Sequence, residues 1–311
     1  DKQSTNKIID SSDSVILAGH IKSYYSCGSL LSYVEHQNNL VHGVSKKWYQ
    51  NGQLECEEEW YKGVRQGYHK SWYENGNKKA EGEWEQGNSH GHWIYWDEEG
   101  HRLRDVDMCQ EEIHGEDVEW HVNGEKKSQI DYVHGVKNGY TVIWYESGQK
   151  REKGEYLKGE KVGLWVEWYG NGLKLSESQL KDGHYIEWYR SGRKKVQGQW
   201  QNNEKHGLWK YWDENGILTS EGNWASGKKD GVWQSWYTNG KKKKYQEWNQ
   251  DLEHGKWTSW HPNGNVQLEG VWEHGREHGK WTSMRNDGKT EWETEFLNGH
   301  RHGFRKVYHS N

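Results

Sequence analysis

The sequence is short of the side chains that fill a globular interior. It has one proline, two phenylalanines and two methionines in 311 residues. Hydrophobic residues make up 31% of the chain, and aromatic residues account for 14%, so aliphatic side chains are too scarce for a thick core. Because proline is almost absent, the backbone N–H donors of a hydrogen-bonded ladder are present throughout. This composition predicts a thin sheet.

A basic excess and a long apolar run are also missing. The net charge is -5, and residues of both signs are mixed along the chain, which gives no basic footprint for nucleic acid. The densest basic run, Lys241 to Lys244, is expected to be a solvated flank of a turn. No segment reaches the apolar length of a transmembrane helix. The start at Asp1 and the polar residues 1–14 favour a secreted or cell-surface protein with a polar N-terminal tail.

Cysteine is too scarce for a disulfide framework. Cys27, Cys56 and Cys109 stand at unrelated positions of the repeat described below, and three cysteines cannot all pair with one another. We expect them to be free thiols.

The most informative feature present is a repeat. A glycine that follows a turn-forming residue recurs every 24 residues, with one interval of 20. These turn glycines are Gly28, Gly52, Gly76, Gly100, Gly124, Gly148, Gly172, Gly192, Gly216, Gly240, Gly264 and Gly288. The repeat continues through the chain without a linker and predicts one continuous domain over residues 15–311.

A second series of glycines sets the frame in which positions are counted below, with the frame glycine as position 0. The frame glycines are Gly19, Gly43, Gly67, Gly91, Gly115, Gly139, Gly163, Gly183, Gly207, Gly231, Gly255, Gly279 and Gly303. In the best-formed repeat, an aromatic-rich run from His206 to Trp212 leads to Asn215-Gly216, and a second run ends at Trp224. Asn-Gly indicates a two-residue hairpin turn in which both residues have positive φ.

The predicted fold is therefore all-β: an elongated, twisted or curled single sheet of about twelve antiparallel β-hairpins with a 24-residue period. The short repeat, residues 173–192, has lost four residues, and we expect the loss to lie in a loop while the flanking strands keep their register.

Tryptophan follows the frame closely. Position 5 is aromatic in all but one repeat and predicts a structural aromatic ladder of Trp48, Trp72, Trp96, Trp120, Trp144, Trp168, Trp188, Trp212, Trp236 and Trp260. Position 2 holds Trp93, Trp165, Trp209, Trp233, Trp257 and Trp281, and position 17 holds Trp60, Trp84, Trp200, Trp224, Trp248 and Trp272. Positions 2 and 5 have opposite parity, so both faces of the sheet are expected to carry rings.

The expected two-residue turn places position 5 across from position 12, which is basic in several repeats: Lys79, Lys127, Arg151, Lys195 and Lys243. Tryptophan and basic side chains would then form a cation–π ladder of about 0.5–1 kcal/mol per exposed pair.

The recurring Gly-x-Trp-x-x-Trp-Tyr-x-Asn-Gly, followed by Glu-Gly-x-Trp-x-x-Gly, resembles the MORN-repeat family. The resemblance covers about residues 19–311 and is nearest to the bacterial-type variant repeats found in proteins described as antitoxin components. It implies a sheet of successive hairpins that acts as a scaffold for protein or membrane contacts, and it implies no catalytic residues. The pattern is broken at Val106 to Cys109 and at Ser283 to Arg285. A looser resemblance connects the chain with secreted repeats that bind choline on cell walls, although their period is shorter.

Two further rows of polar residues have structural explanations. Histidine precedes the frame glycine at His42, His90, His114, His206, His254, His278 and His302. Equivalent residues of consecutive hairpins lie roughly 9.6 Å apart, too far to share one ion, so a turn-stabilising role is expected. An acid at Glu57, Glu81, Asp105, Glu177, Glu221, Glu269 and Glu293 is expected to pair with Lys or Arg across strands. We expect no catalytic residues, no cofactor and no metal, because catalysis needs a unique constellation of groups.

Function is predicted only by class. The leading hypothesis is a non-enzymatic scaffold that associates with itself head-to-tail through its terminal strands. The expected assembly edges are Val15, Ile16 and Leu17 at one end and Phe304, Val307 and Tyr308 at the other. The alternatives are a monomeric antitoxin-like or immunity-like binder of a protein, and a secreted module that binds glycans or cell walls on tryptophan platforms.

Overall fold

The computed structural model describes residues 18–309 of the chain. Within them the protein is all-β: twenty-five strands form one open antiparallel sheet, which confirms the predicted fold class. The strands are β1 Ala18–Tyr24, β2 Leu30–Gln37, β3 Leu40–Trp48, β4 Leu54–Tyr61, β5 Val64–Trp72, β6 Lys78–Glu85, β7 Asn88–Trp96, β8 Arg102–Cys109, β9 Glu112–Trp120, β10 Lys126–Val133, β11 Val136–Trp144, β12 Lys150–Leu157, β13 Glu160–Trp168, β14 Lys174–Gln179, β15 Gly183–Trp188, β16 Lys194–Gln201, β17 Glu204–Trp212, β18 Leu218–Ala225, β19 Lys228–Trp236, β20 Lys242–Asn249, β21 Leu252–Trp260, β22 Val266–Glu273, β23 Arg276–Met284, β24 Thr290–Leu297 and β25 His300–Val307. The described residues contain no helix, and therefore none that could cross a membrane.

The described residues divide into two compact units, 18–161 and 162–309. Inside each unit, strands pair with their neighbours in chain order. The hairpin of β17 and β18 shows the register: Gly207 lies opposite Trp224, Trp209 opposite Gly222, and Trp212 opposite Leu218. The prediction of one continuous domain over 15–311 stays a prediction.

The Asn-Gly turn differs from its prediction. In the turn between β19 and β20, Tyr237 N donates to Lys241 O at 2.9 Å, and Gly240 N donates to Tyr237 O at 2.9 Å. Only Gly240 has a positive φ, of 79°. The two-residue assignment was therefore wrong, and the connection is a longer turn with a glycine bulge. Asn239 has another use, because its Oδ1 accepts from Lys241 N at 3.0 Å and closes the loop from inside.

Two-residue turns occur instead at the other end of the strands. Lys62 and Gly63, which join β4 to β5, have φ values of 48° and 83°. Asn202 and Asn203, which join β16 to β17, have values of 53° and 64°. Two consecutive residues with positive φ are the signature of the hairpin turn that matches strand twist, and Asn and Gly adopt it most easily.

The short repeat keeps its register, as predicted, but the lost residues do not come from a loop. Ser176 still lies opposite Glu187, and Glu177 opposite Ile186. β14 and β15 are six residues long, whereas most strands have eight or nine. The four-residue deletion therefore removes the ends of both strands next to the turn, which leaves the pairing of the remaining residues unchanged.

A bulge at the frame glycine joins successive repeats. Gly255 has φ of 102°, and the carboxylate of Glu247, in the preceding strand, accepts from Lys256 N at 3.0 Å. A Cβ on Gly255 would lie 2.1 Å from that carboxylate oxygen. Glycine is required here for its conformation and for space. The same bond is made by Glu35, Glu59, Asp107 and Asp131 in other repeats.

On one face of this single layer, buried indoles lie flat on glycines. Trp233 is 9% exposed, and its ring covers Gly222 of the preceding repeat, where a Cβ would come within 2.1 Å of the ring. Trp233 Nε1 donates to Asn223 O at 2.9 Å and fixes the ring in the plane of the sheet. The same stacking occurs for Trp93 on Gly82, Trp209 on Gly198 and Trp281 on Gly270. We call this side of the sheet the stacked face.

Position 15 lies opposite position 2 of the following repeat. It holds a residue larger than glycine wherever position 2 is not tryptophan. Ile130 lies opposite Thr141, and these two side chains are 8% and 1% exposed. Glu58 lies opposite His69, whose Nδ1 is 2.9 Å from the carboxylate. Large and small side chains thus alternate across the repeat boundary to fill the same space.

Replacing Gly222 by alanine tests this packing. The added methyl group meets the Trp233 ring, so we expect Gly222→Ala to lower the free energy of unfolding by about 1–3 kcal/mol in a denaturant titration. Gly170→Ala is the matched control, because a Cβ added at Gly170 would meet no heavy atom within 4 Å and the φ of this residue is not positive. Equal effects of the two substitutions would contradict the stacking account.

Candidate functional site: the aromatic ladder face

The side opposite the stacked face carries the position 5 tryptophans, and we call it the ladder face. Five of these rings, Trp96, Trp120, Trp144, Trp188 and Trp260, are approached by the basic residue at position 11 of the preceding repeat, whereas Trp48, Trp72 and Trp236 have a leucine at that position. Lys78 Nζ lies 5.2 Å from the centroid of the Trp96 ring and 2.8 Å from the carboxylate of Glu81. Arg102 contacts Asp105 and lies 4.7 Å from the Trp120 ring. One basic side chain therefore joins an acid of its own repeat to an indole of the next.

The ladder was predicted with the wrong basic partners. The longer Asn-Gly turn places position 11, not position 12, opposite the tryptophan, as in the pair of Trp72 and Lys78. Position 12 reaches the tyrosine at position 6 instead. Lys79 lies 5.5 Å from the Tyr73 ring, and Lys243 lies 5.6 Å from the Tyr237 ring. The error follows directly from the turn type.

The ten predicted ladder tryptophans all lie at the ends of strands and are half-buried. None is fully buried, whereas five position 2 rings of the stacked face are, such as Trp209 at 1% exposure. The ladder face therefore presents flat aromatic surface next to acidic and basic groups. Interfaces between proteins are enriched in aromatic residues and arginine in this way.

Six of the seven recurring acids are paired with basic residues, as expected, and Glu269 forms no ion pair within residues 18–309. Lys46 Nζ is 3.1 Å from Glu57 across the strands, and Lys210 Nζ is 3.3 Å from Glu221. In other repeats the cation comes from position 11 of the same strand, as for Lys174 with Glu177. Exposed pairs of this kind contribute about 0–1 kcal/mol each, so they set the charge pattern more than the stability.

The Asn-Gly turns are joined from one repeat to the next by side chains that bind backbone. Tyr237 Oη donates to Trp260 O at 2.7 Å, and Tyr189 Oη donates to Trp212 O at 2.8 Å. Asn239 Nδ2 donates to Pro262 O at 2.9 Å, so this one amide closes its own turn and binds the following one. These tyrosine and asparagine groups are used by the fold and are not available to a ligand.

The histidine before the frame glycine has the predicted turn-stabilising role in several repeats. The Nδ1 atoms of His42, His114 and His254 accept from backbone N–H groups of the following two-residue turn at 3.3–3.4 Å. Where position -1 is not histidine, a side-chain carbonyl or carboxylate oxygen accepts this bond instead. Asn138 Oδ1, for example, accepts from Lys158 N at 3.0 Å. This substitution indicates hydrogen bonding to the backbone rather than metal chemistry.

One turn gathers three potential metal ligands. Atoms of Asp97, Glu99 and His101 lie within 4.8 Å of one another. His101 N donates to Asp97 Oδ1 at 2.7 Å, and the same backbone position donates to asparagine in other turns, as Lys241 N does to Asn239. Desolvation raises the pKa of Asp97, but the backbone and ring hydrogen bonds from His101 outweigh it and lower the pKa overall. Turn formation explains the cluster, and the absence of a metal stays a prediction.

The shallow hollows of the described surface are lined by residues at the repeated positions of the ladder face and the stacked face. One of about 350 Å³ is lined by Tyr95, Arg104, Glu119, Trp120 and their neighbours. Arg104 there is paired with the buried Asp117, at 2.7 Å. Another hollow, of about 410 Å³, lies beside Lys46 and Trp48. Their lining residues belong to repeated positions.

The predicted assembly edge at residues 15–17 lies outside the described residues. At the other edge, Phe304 is 94% exposed, Val307 53% and Tyr308 42%. Tyr308 N still donates to Glu291 O at 2.8 Å, so pairing continues just past β25. Self-assembly through these residues stays a prediction.

The three cysteines are free thiols, as expected. They differ in environment. Burial raises the pKa of Cys56 to about 11, whereas the hydrogen bond with Ser29 lowers the pKa of the exposed Cys27.

Thiol alkylation tests these environments. At about pH 8, iodoacetamide should modify Cys27 at least about tenfold faster than Cys56, because the thiolate is the reacting form. Peptide mapping by mass spectrometry gives the two rates in the same sample. In denaturant the rates should converge, and equal rates in the native protein would contradict the placement of Cys56 in the sheet.

Sequence reasoning missed three functional features of the repeat. It did not find the glycine at position 15, the basic residue at position 11, or the two roles of the asparagine. The first was visible as the Glu-Gly-x-Trp motif, in which Gly82, Gly198, Gly222 and Gly270 keep one position. A comparison of position 15 with position 2 of the following repeat would have shown that glycine accompanies tryptophan, with Gln246 opposite Trp257 as the exception.

Comparison with known families identifies the repeat. The family described as MORN repeat variant matches residues 41–60, 65–86, 205–225, 229–250 and 253–274. The chain carries variant MORN repeats. These five matches confirm the resemblance drawn from the sequence, and they lie in both units. MORN repeats are repeat-type modules for protein interaction, which supports a scaffold as the general class of function.

Other comparisons add little. No curated protein matches the chain. Among solved structures, the chain is similar to one titled "Crystal Structure of TcdB2-TccC3", with 10% identity and a TM-score of 0.20 over 91% of this chain and 16% of that one. The corresponding TcdB2-TccC3-Cdc42 structure gives 11% identity and a TM-score of 0.19, covering 91% of this chain and 15% of that one. The chain spans less than a fifth of these two chains, and at such TM-scores the likeness carries no argument.

Proposed function

We propose that this protein is a non-enzymatic scaffold that binds a protein partner through its ladder face. The observation that carries the proposal is the half-buried tryptophan at position 5 of nearly every repeat, flanked by basic and acidic side chains. Flat rings lose little conformational entropy on binding, and neighbouring charges give specificity. A repeated surface of this kind suits an extended partner.

The MORN repeats support the class of this function, and the geometry supports its location. The stacked face and the turns use their aromatic and amide groups within the sheet, as Trp209 and Asn239 show. About half of the ladder rings have one side covered by a basic residue of the preceding repeat, as Trp96 is by Lys78. Their remaining surface is available to a partner.

A finer version of the proposal is that the partner is a second copy of the chain. The exposed apolar side chains of Phe304 and Val307 motivate this version. The alternative functions are an antitoxin-like or immunity-like binder, which would use the same ladder face as a monomer, and a glycan-binding module that uses the rings as sugar platforms.

Affinity capture from native extract tests the proposal. The immobilised chain should retain one or a few proteins reproducibly, and Trp236→Leu with Trp260→Leu should abolish their retention because the flat rings are removed. The matched control replaces two exposed apolar residues next to two-residue turns, Leu252→Ala with Leu297→Ala, and should retain them. Circular dichroism checks that both variants fold.

The identity of the captured material separates the versions. Recovery of the chain itself, with a concentration-dependent sedimentation coefficient, supports self-association. Retention that survives loss of the two tryptophans, or that the leucine control abolishes equally, would contradict the ladder face as the binding surface. If the chain captured no protein but was itself retained by an insoluble polysaccharide, this result would contradict the scaffold proposal and favour glycan binding.

A further inference from the structure

A row of residues on the stacked face lies between the indoles, at position -2 before the frame glycine. Lys205 Nζ lies 4.4 Å from the centroid of the Trp209 ring and 4.8 Å from that of Trp224. Lys229 has the same position one repeat later, 4.7 Å and 4.5 Å from the corresponding rings. Arg65 lies 5.0 Å from the equivalent indole of its repeat. In these repeats the slot between two rings is filled by a cation of the chain itself.

The two repeats that follow Lys229 have the same slot with the opposite charge. Glu253 and Glu277 stand at position -2, and both are half-buried. The aromatic positions are kept: Trp257 and Trp272 correspond to Trp209 and Trp224 in the repeat of Glu253, and Trp281 and Phe296, with ring centroids 6.2 Å apart, correspond to them in the repeat of Glu277. Carboxylates have replaced the cations while the rings that attract cations are kept.

No basic side chain forms an ion pair with these carboxylates among residues 18–309. The side-chain hydrogen bond to Glu253 comes from the neutral amide of Gln246, at 3.0 Å. Burial raises the pKa of Glu253 and the negative charge of Glu277 adds to this, so the pKa stays raised although Gln246, Lys244 and Lys229 each lower it in part. Burying a carboxylate beside aromatic faces without an ion-pair partner is unfavourable, and a cation supplied from outside would relieve it.

We propose that these two slots, formed by Glu253 with Trp257 and Trp272 and by Glu277 with Trp281 and Phe296, bind two basic side chains of a partner's extended segment. Lysine or arginine would enter each slot as Lys205 and Lys229 do in the preceding repeats, and it would gain a carboxylate in addition to the rings. This site lies on the stacked face and goes beyond the ladder-face function proposed above.

The spacing of the slots limits the partner segment. Equivalent positions of consecutive repeats are two strands apart, roughly 9.6 Å at the usual strand spacing. A polyproline II segment advances about 3.1 Å per residue with three residues per turn, so its residues i and i+3 are about 9.3 Å apart and point the same way. The site therefore fits basic residues three apart in such a segment.

A synthetic peptide with lysine at every third position and proline between them is the probe. Fluorescence anisotropy of the labelled peptide at low salt should show saturable binding to the full chain, and the peptide with glutamate in place of lysine should not bind. Glu253→Lys with Glu277→Lys fills both slots from within, as in the two preceding repeats, so we expect at least about a tenfold loss of affinity. The thermal midpoint of this variant should not fall.

The matched control makes the same change of charge at exposed turn residues, Glu74→Lys with Glu146→Lys, and should bind the peptide like the wild-type chain. If the double lysine variant does not fold, Glu253→Gln with Glu277→Gln replaces it and should also weaken binding. Absence of peptide binding by the wild-type chain, or equal losses in slot and control variants, would overturn the proposal. Neither result would affect capture through the ladder tryptophans.

Discussion

The contact between an indole and a glycine of the preceding repeat is the constraint on which this structure depends. A single sheet has no second layer to cover its faces, so it must bury apolar surface against itself. The flat Trp233 ring packs on Gly222 in this way, because the absence of a side chain at Gly222 lets the ring lie directly against the backbone. Each repeat is completed by the one that follows, which explains why such units occur in series.

That contact determines which positions of the repeat are used for packing and which remain for recognition. Position 2 and position 15 are occupied by packing, while tyrosine and asparagine of the turns bind backbone groups of the next turn. The rows that remain for recognition are the ladder tryptophans and the position -2 slots. Variation is tolerated there because the register does not depend on it. The change from Lys229 to Glu253 between consecutive repeats shows that the charge of a slot can reverse while the strands keep their pairing.

The architecture could be predicted from the sequence because the period, the alternation of strands and the turn residues all agree. The detail failed at the Asn-Gly turn. Asn239-Gly240 is compatible with a two-residue turn, but its neighbours Tyr237 and Lys241 hydrogen-bond to each other and lengthen the connection. That one change moved the position that lies opposite each ladder tryptophan from 12 to 11. The candidate slots were not predictable from periodicity, since they depend on distances between rings of different strands.

The most direct test of the central contact is a double-mutant cycle that exchanges the packing of one repeat boundary for that of another. Gly222→Ile and Trp233→Thr together recreate the arrangement of Ile130 and Thr141, which are buried against each other. If the indole and the glycine are coupled as described, each single variant should be destabilised. The double variant should then be more stable than the sum predicts by at least about 1 kcal/mol in denaturant unfolding. Additive losses would contradict the account.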